Sequence, residues 1–349
     1  MSKINFLNFD YIMNLKDKEN QTPALLFLST NRGGGKTYGM GSWILKNMVF
    51  QTKPKQFALI ARFKDEIGFT VDGFFTQVMI DKYPNYEIEE HIIANGLYSE
   101  ILLRQKGEES SEVIGYVLPL NVADRLKKHA YVLNKIDIMF MDEYQTEKYC
   151  KDEVAKLIRL RTTIARGGKN AIRFVRVVLC SNSLSRDNPY FRQLHMTSKV
   201  QDDTKIYKEK GIVYARFVVK DVANLQKADP FNQLFMDTKE MKSNIDNEYS
   251  QDNMAGITKP VAEWGNCYYM ATFVDQDVQY AIKKYNNLIY IDDVIDHTCN
   301  NIFTLSVDGT PDMSIVKKTV VYEVLRDYFF KGKVRYKNLN IKNDVLKWI

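Results

Sequence analysis

Apolar and polar positions alternate in blocks along the first 220 residues, and the blocks switch between strand and helix periods. An apolar run over 24–29 predicts a first strand, and Tyr38 to Phe50 follows with helical spacing. Gln56 to Arg62 has almost no polar alternation, as expected of a strand in a sheet covered on both faces. A helix is predicted over 67–82. Beyond Pro84, Tyr86 to Ile93 and Leu97 to Gln105 flank the hairpin dipeptide Asn95-Gly96, and Val113 to Leu118 follows a second turn. These three short strands read as an insertion on one edge of the main sheet. Lys135 to Met141 predicts a buried strand, 151–170 a helix that stops at Gly167 and Gly168, and Phe174 to Asn182 a further sheet strand. Asn188-Pro189-Tyr190-Phe191 reads as a turn, and Gly211 to Lys220 as the last strand of a first domain. The order predicts a doubly wound α/β domain over 1–222. Residues 223–258 turn polar and read as a linker with short helices. A small α/β domain follows over 259–349, with three antiparallel strands (Asn266 to Val274, Val278 to Lys284, Leu288 to Ile291), a strand over Ile302 to Val307, a helix over 314–330 and a closing helix from 340.

Composition adds bounds. A chain of 349 residues with 45% hydrophobic content is long enough for two packed cores. No window holds eighteen uninterrupted apolar residues, and the first twenty lack the apolar core of a signal peptide, so a cytoplasmic, membrane-free protein is expected. Cys150, Cys180, Cys267 and Cys299 are widely spaced, which favours reduced structural thiols over zinc ligands. A net charge of +6 suits a polyanionic partner without identifying one.

Two stretches carry chemistry. In the first, the opening strand ends in Thr30-Asn31-Arg32-Gly33-Gly34-Gly35-Lys36-Thr37 and gives way to a helix. Glycines let backbone N–H groups wrap a polyphosphate, the helix adds its positive dipole end, Lys36 reaches the β- and γ-phosphates, and the Thr37 hydroxyl suits Mg²⁺. Against G-x-x-x-x-G-K-[ST] the one departure is Thr30 in the first glycine position, with Gly33 and Gly34 as candidates to supply the lost flexibility. In the second, Asp142 and Glu143 follow the apolar run Ile138-Met139-Phe140-Met141. Asp142 suits magnesium held through water, and Glu143 suits activation of the water that attacks the γ-phosphate. A water-activating glutamate argues against a nucleotide kinase.

Accessory candidates surround these two. Asn182, with Ser181 as the lesser candidate, ends a strand where a side chain can report the γ-phosphate. Arg166 caps a helix in the position of an arginine finger, with Arg159 and Arg161 as competitors. Arg62-Phe63-Lys64 places basic residues where parallel sheets bind ligands. Asp124-Arg125-Leu126-Lys127-Lys128-His129 is a basic cluster or a solvated face. Phe9, Tyr11 and Met13 are either base contacts or core.

These elements resemble the DNA-packaging ATPases of small protein-primed tailed phages (podoviruses), relatives of the large terminase subunits. The resemblance rests on Asn31 to Thr37, Ile114 to Leu120, Met141-Asp142-Glu143-Tyr144 with Glu147-Lys148, and Leu179-Cys180-Ser181-Asn182 with Asn188 to Phe191. It implies an ASCE-type P-loop ATPase domain using ATP and Mg²⁺, with Asn31 to Thr37 around the nucleotide, and a C-terminal domain similar to a degenerate RNase H-like nuclease. It further implies a homomeric ring, expected as a pentamer, docked on the portal protein of an empty capsid in the host cytoplasm and driving double-stranded DNA inward. A structural RNA is left open as a further partner. Position by position, Lys36, Thr37, Asp142 and Glu143 match the ATP site, and Arg166 falls on the family's trans-acting arginine. Lys148 matches a basic residue presented to the adjacent subunit, and Lys127, with Arg125 and Lys128 beside it, a loop facing DNA in the pore. Asp275, Asp292, Asp293 and Asp308 leave a metal site in the second domain open. The rival readings are a helicase or assembly ATPase acting on single strands or protein, and a nucleotide-dependent ring that does not hydrolyse.

Overall fold

The computed structural model describes residues 6–166, 172–201, 203–258, 267–276, 278–305 and 314–349, with the backbone alone at Lys128. The chain parts into two compact units, one of Met1–Gln193 with Val200–Gln251 and one of Leu194–Lys199 with Asp252–Ile349.

Nine strands make the sheet of the first unit: β1 (Leu25–Thr30), β2 (Gln56–Ala61), β3 (Tyr86–Ile93), β4 (Tyr98–Gln105), β5 (Glu112–Pro119), β6 (Ile136–Met141), β7 (Arg176–Ser181), β8 (Ile206–Glu209) and β9 (Ile212–Phe217). Their order is β3-β4-β5-β2-β6-β7-β1-β9-β8. Every pairing from β5 across to β9 is parallel, so the C-terminal ends of β2, β6, β7 and β1 share one edge. That edge is where parallel sheets bind ligands. The three strands expected as an insertion divide differently: β5 is an integral parallel neighbour of β2, and only β3 and β4 add an antiparallel hairpin, extending the sheet sideways beyond β5.

Both faces of the sheet are covered, which explains the unbroken apolar runs. Leu26, Leu28, Phe57, Leu59, Ile138, Phe140, Val178 and Cys180 face one core, closed by the helices Lys36–Ile44 and Thr70–Lys82. On the opposite face Phe27 meets Tyr144 at 5.2 Å and Phe191 at 5.4 Å between ring centroids, and Phe191 meets Tyr214 at 5.6 Å. The helix Glu153–Ala165 buries Leu157, Leu160 and Ile164 at helical spacing. The Asn188-Pro189 step opens the short helix Pro189–Gln193, with the Phe191 N–H donating to Asn188 Oδ1 at 3.0 Å. Helices Lys220–Ala228, Pro230–Gln233 and Lys239–Asp246 occupy most of the stretch read as a linker, and these residues fold with the first unit.

The second unit has strands β10 (Tyr268–Asp275), β11 (Val278–Tyr285), β12 (Leu288–Asp292), β13 (Ile302–Thr304), β14 (Ser314–Ile315) and β15 (Val334–Tyr336), in the order β14-β13-β10-β11-β12-β15. β10, β11 and β12 are antiparallel as expected, and β13, β14 and β15 pair in parallel. Two helices, Val320–Phe330 and Leu339–Trp348, start at Thr319 and Asn338, whose side chains accept the N–H groups of Tyr322 and Ile341. Trp348 packs on Tyr280 at 4.5 Å, and the Tyr280 hydroxyl donates to Asp344 at 3.0 Å. Among the described residues no helix is long and apolar enough to cross a membrane.

Candidate functional site

The loop after β1 explains its own composition. Gly33 and Gly35 adopt φ of +74° and +83°, a region that a residue with a Cβ enters at a cost of roughly 1 kcal/mol or more. Gly34 has no such angle but lies so close to β1 that a Cβ would stand 2.7 Å from Thr30 Oγ1. Thr30 is the fully buried end of the strand and keeps negative φ, so no glycine is required where the motif has its first. Its hydroxyl donates to Asn31 Oδ1 at 3.1 Å. Asn31 faces away from the loop's concave side: Oδ1 accepts the Val219 N–H at 2.8 Å and Nδ2 donates to Val219 O at 3.4 Å. Its side chain is therefore an anchor for the loop. Arg32 is held by its main chain, donating to Asn244 O at 2.9 Å and accepting Gln226 Nε2 at 3.0 Å, while its side chain is exposed.

Four side chains from three strand ends converge in front of this loop. Lys36 Nζ donates to Asn182 Oδ1 beyond β7. The Thr37 hydroxyl donates to Asp142 Oδ2, beyond β6, at 2.5 Å. Burial holds the Lys36 ammonium below its ordinary value of 10.5, against the opposing pull of Asp142, Cys180 and Glu143. Glu143 is exposed and takes φ of +55°, with its N–H on Asp142 Oδ1 at 3.0 Å. A lysine, a hydroxyl and a carboxylate on a glycine cradle are the groups a magnesium-bound triphosphate requires.

Two residues absent from the sequence expectations brace this arrangement. Gln145 is buried and its Oε1 accepts the N–H groups of Leu184 and Ser185 at 2.8 Å and 3.0 Å, tying the loop after β6 to the loop that carries Asn182. Asn247, fully buried with φ of +57°, accepts the Ser183 N–H at 3.0 Å and donates to Phe217 O at 3.3 Å. Both are polar residues inside otherwise buried surroundings, a pattern that one sequence does not distinguish from loop polarity.

Other candidates lie elsewhere. Arg166 follows the helix Glu153–Ala165 at the opposite edge of the sheet, where Arg173 N–H donates to Ala165 O at 3.0 Å just before β7. Strands of six residues put about 20 Å between that edge and Lys36. Arg166 thus has no place in its own chain's site, and Gly167 and Gly168 lie outside the described residues. Arg159 pairs with Asp124 at 3.4 Å, and Arg161 donates to Val175 O at 3.0 Å. Lys148 is exposed on the loop after β6. Arg125 and Lys127 are exposed on short helical turns, and Lys127 pairs with Asp124 at 3.3 Å. The side chain of Lys128 lies outside the described residues. Phe9 and Met13 are core, and Tyr11 is exposed against Phe217 at 6.4 Å. Phe9 also lines, with Phe6, Gly35, Tyr38, Gly39 and Trp43, a cavity of about 250 Å³ beside the loop.

In the second unit the acids do not gather. Asp292 is taken by Lys283 at 2.8 Å and Asp293 by Lys337, while Asp308 lies outside the described residues. No cluster of three metal-ligating side chains occurs among the described residues, and all four cysteines are free.

Comparison with known proteins places the chain. The model of the family described as Podovirus DNA encapsidation protein (Gp16) matches residues 11–347. The chain belongs to that family. It is 23% identical over 334 residues to the DNA packaging protein of Bacillus phage phi29, covering 91% of each, and equally similar to that of Bacillus phage PZA. Its fold is similar to a chain of the bacteriophage Phi-29 viral genome packaging motor assembly, with a TM-score of 0.70 at 22% identity over 98% of both chains. A second likeness, to the Phi-28 gp11 DNA packaging motor, has a TM-score of 0.56 at 15% identity over 97% of this chain and 95% of that one.

Proposed function

We propose that this chain hydrolyses ATP to drive double-stranded phage DNA into a preformed capsid, working as a homomeric ring, a pentamer by resemblance, at the portal. The observation that carries the reading is the convergence of Lys36, Thr37, Asp142 and Asn182 on one sheet edge around a glycine cradle. β7 lies between β1 and β6, the order of an ASCE-type, doubly wound ATPase. Family membership and the packaging proteins among its relatives supply the cargo.

In this mechanism Lys36 leaves Asn182 for the β- and γ-phosphates when ATP enters the cradle. The Thr37 hydroxyl and Asp142 would hold Mg²⁺, which would supply charge neutralisation at the phosphate oxygens. Glu143 accepts the proton of the attacking water, and Asn182, freed from Lys36, contacts the γ-phosphate. The cavity beside Gly35 suits the base. Arg166 offsets developing charge in a neighbouring subunit's site, with Lys148 facing the same interface, because no path within one chain brings Arg166 to the phosphate. Exposed Lys127, with Arg125 and Lys128, contacts DNA phosphates in a way indifferent to sequence. For the second unit, three antiparallel strands continued by two parallel strands beyond β10, with β15 added in parallel beyond β12, support an RNase H-like ancestry, and the paired Asp292 and Asp293 support a docking or nucleic-acid-binding role without nuclease chemistry. The test is ATP turnover and DNA packaging into empty capsids by Glu143→Gln. Hydrolysis is expected to fall about 10²- to 10⁴-fold with nucleotide binding kept. Unchanged turnover overturns the catalytic role, and strand separation without packaging favours a helicase.

A further inference from the structure

Arg62, in the basic stretch after β2, has no role in the mechanism above, yet it is buried at 7% exposure and touches the site's backbone. Its Nη2 donates to the carbonyl oxygens of Glu143 at 3.0 Å and Tyr144 at 3.2 Å. The same guanidinium grips Glu153, Nε to Oε2 at 2.8 Å and Nη2 to Oε1 at 3.2 Å. Glu153 is 3% exposed and also accepts the Tyr190 hydroxyl at 2.7 Å and the Cys150 N–H at 3.0 Å. Burial works against the charge on Arg62, but the hydrogen bonds and charge of Glu153 outweigh it and raise the guanidinium above its ordinary value. Arg62 therefore stays charged. Only a planar fork serves one carboxylate and two successive carbonyls at once, and a lysine ammonium does not.

The second of those carbonyls belongs to Tyr144, and the first to the residue before it, whose backbone is left-handed, Glu143 at φ +55°. Its peptide is clamped from both ends, the N–H by Asp142 Oδ1 at 3.0 Å and the carbonyl by Arg62. Its carboxylate, by contrast, is exposed and has no hydrogen-bond partner among the described residues. We propose that Arg62, anchored by Glu153, is a positioning residue: it fixes the left-handed main chain at Glu143 and so aims a carboxylate that no side-chain contact holds. The inference rests on the hydrolytic reading of Glu143.

The test is a double-mutant cycle on the full-length protein in its functional assembly, with single-turnover ATP hydrolysis and affinity for a non-hydrolysable ATP analogue as paired readouts. Arg62→Lys keeps the charge opposite Glu153 and loses the fork. It is expected to slow hydrolysis roughly 10- to 100-fold while analogue affinity stays within about twofold. In the Glu143→Gln background it is expected to slow the residual rate no further, since there is no carboxylate left to aim. Equal losses in both backgrounds, or a loss of analogue binding, overturn the proposal. Glu153→Gln enters the same cycle under the same rule and decides the matter where Arg62→Lys does not fold. If Glu143→Gln alone leaves hydrolysis at the parent rate, the hydrolytic reading itself fails, which separates the two failures.

Discussion

Gly34→Ala places a Cβ 2.7 Å from Thr30 Oγ1, 3.1 Å from Asn31 O and 3.2 Å from Val219 Cγ2. Thr30 and Asn31 are fully buried and Val219 is 7% exposed, so none of the three yields into solvent. Gly34 has no positive φ, which leaves the cost purely steric. Overpacking of this kind costs about 1–3 kcal/mol. Thr30→Ala removes the nearest atom and with it the hydrogen bond to Asn31 Oδ1 at 3.1 Å, at a cost of about 1–2 kcal/mol on its own. With both changes the worst contact is gone, so the pair is expected to cost less than the sum by about 1 kcal/mol or more. Urea denaturation of the parent, the two single variants and the double variant measures this directly, with affinity for an ATP analogue followed in parallel. Gly34→Ala is expected to lose stability and nucleotide affinity together, and Thr30→Ala to return part of each. Strictly additive costs, or a Gly34→Ala protein as stable and as tight as the parent, would refute the view that Thr30 and Gly34 are a matched pair replacing the first glycine.

Three further outcomes follow from the site. Mixing Arg166→Ala subunits with Glu143→Gln subunits is expected to restore ATP hydrolysis that neither shows alone, because each supplies what its neighbour lacks; a mixture no more active than its parts removes Arg166 from the chemistry. Burial depresses Lys36, so between its folded value and 10.5 the unfolded chain binds the extra proton. Nucleotide-free stability should therefore rise with pH across that window, and Lys36→Met should flatten the rise in denaturant titrations. Lys127→Ala is expected to reduce the salt slope of DNA binding by about one, measured by titration across salt concentrations, and an unchanged slope takes Lys127 off the DNA.

How much of this was legible in the sequence depends on how local each cause is. β1, β6 and β7 are apolar runs with polar tips, and a parallel sheet delivers such tips to one edge, so the sequence alone groups Lys36, Thr37, Asp142 and Asn182. Arg62 reads from the sequence as a basic residue at the right edge, facing a ligand. Its partner Glu153 is 91 positions away, and nothing local distinguishes a buried ion pair from a solvated arginine. β8 and β15, of four and three residues, are too short to show a period, and the two residues of β14 fall at the start of the helix expected over 314–330, which begins only at Val320. Asn188-Pro189 was read as a turn because asparagine before proline marks a turn and a helix start alike. The short helices expected within 223–258 are present, but the polarity of this stretch does not show that its residues up to Gln251 pack with the first unit beside the phosphate loop.

The most direct test of the account is a structure of the protein with Mg²⁺ and a non-hydrolysable ATP analogue. The expected result has the triphosphate inside the turn from Gly33 to Thr37, Lys36 moved from Asn182 onto the phosphates, and Glu143 facing the γ-phosphate across a water. A cradle without nucleotide at saturating analogue, with Lys36 still on Asn182 and Thr37 still on Asp142, would contradict it.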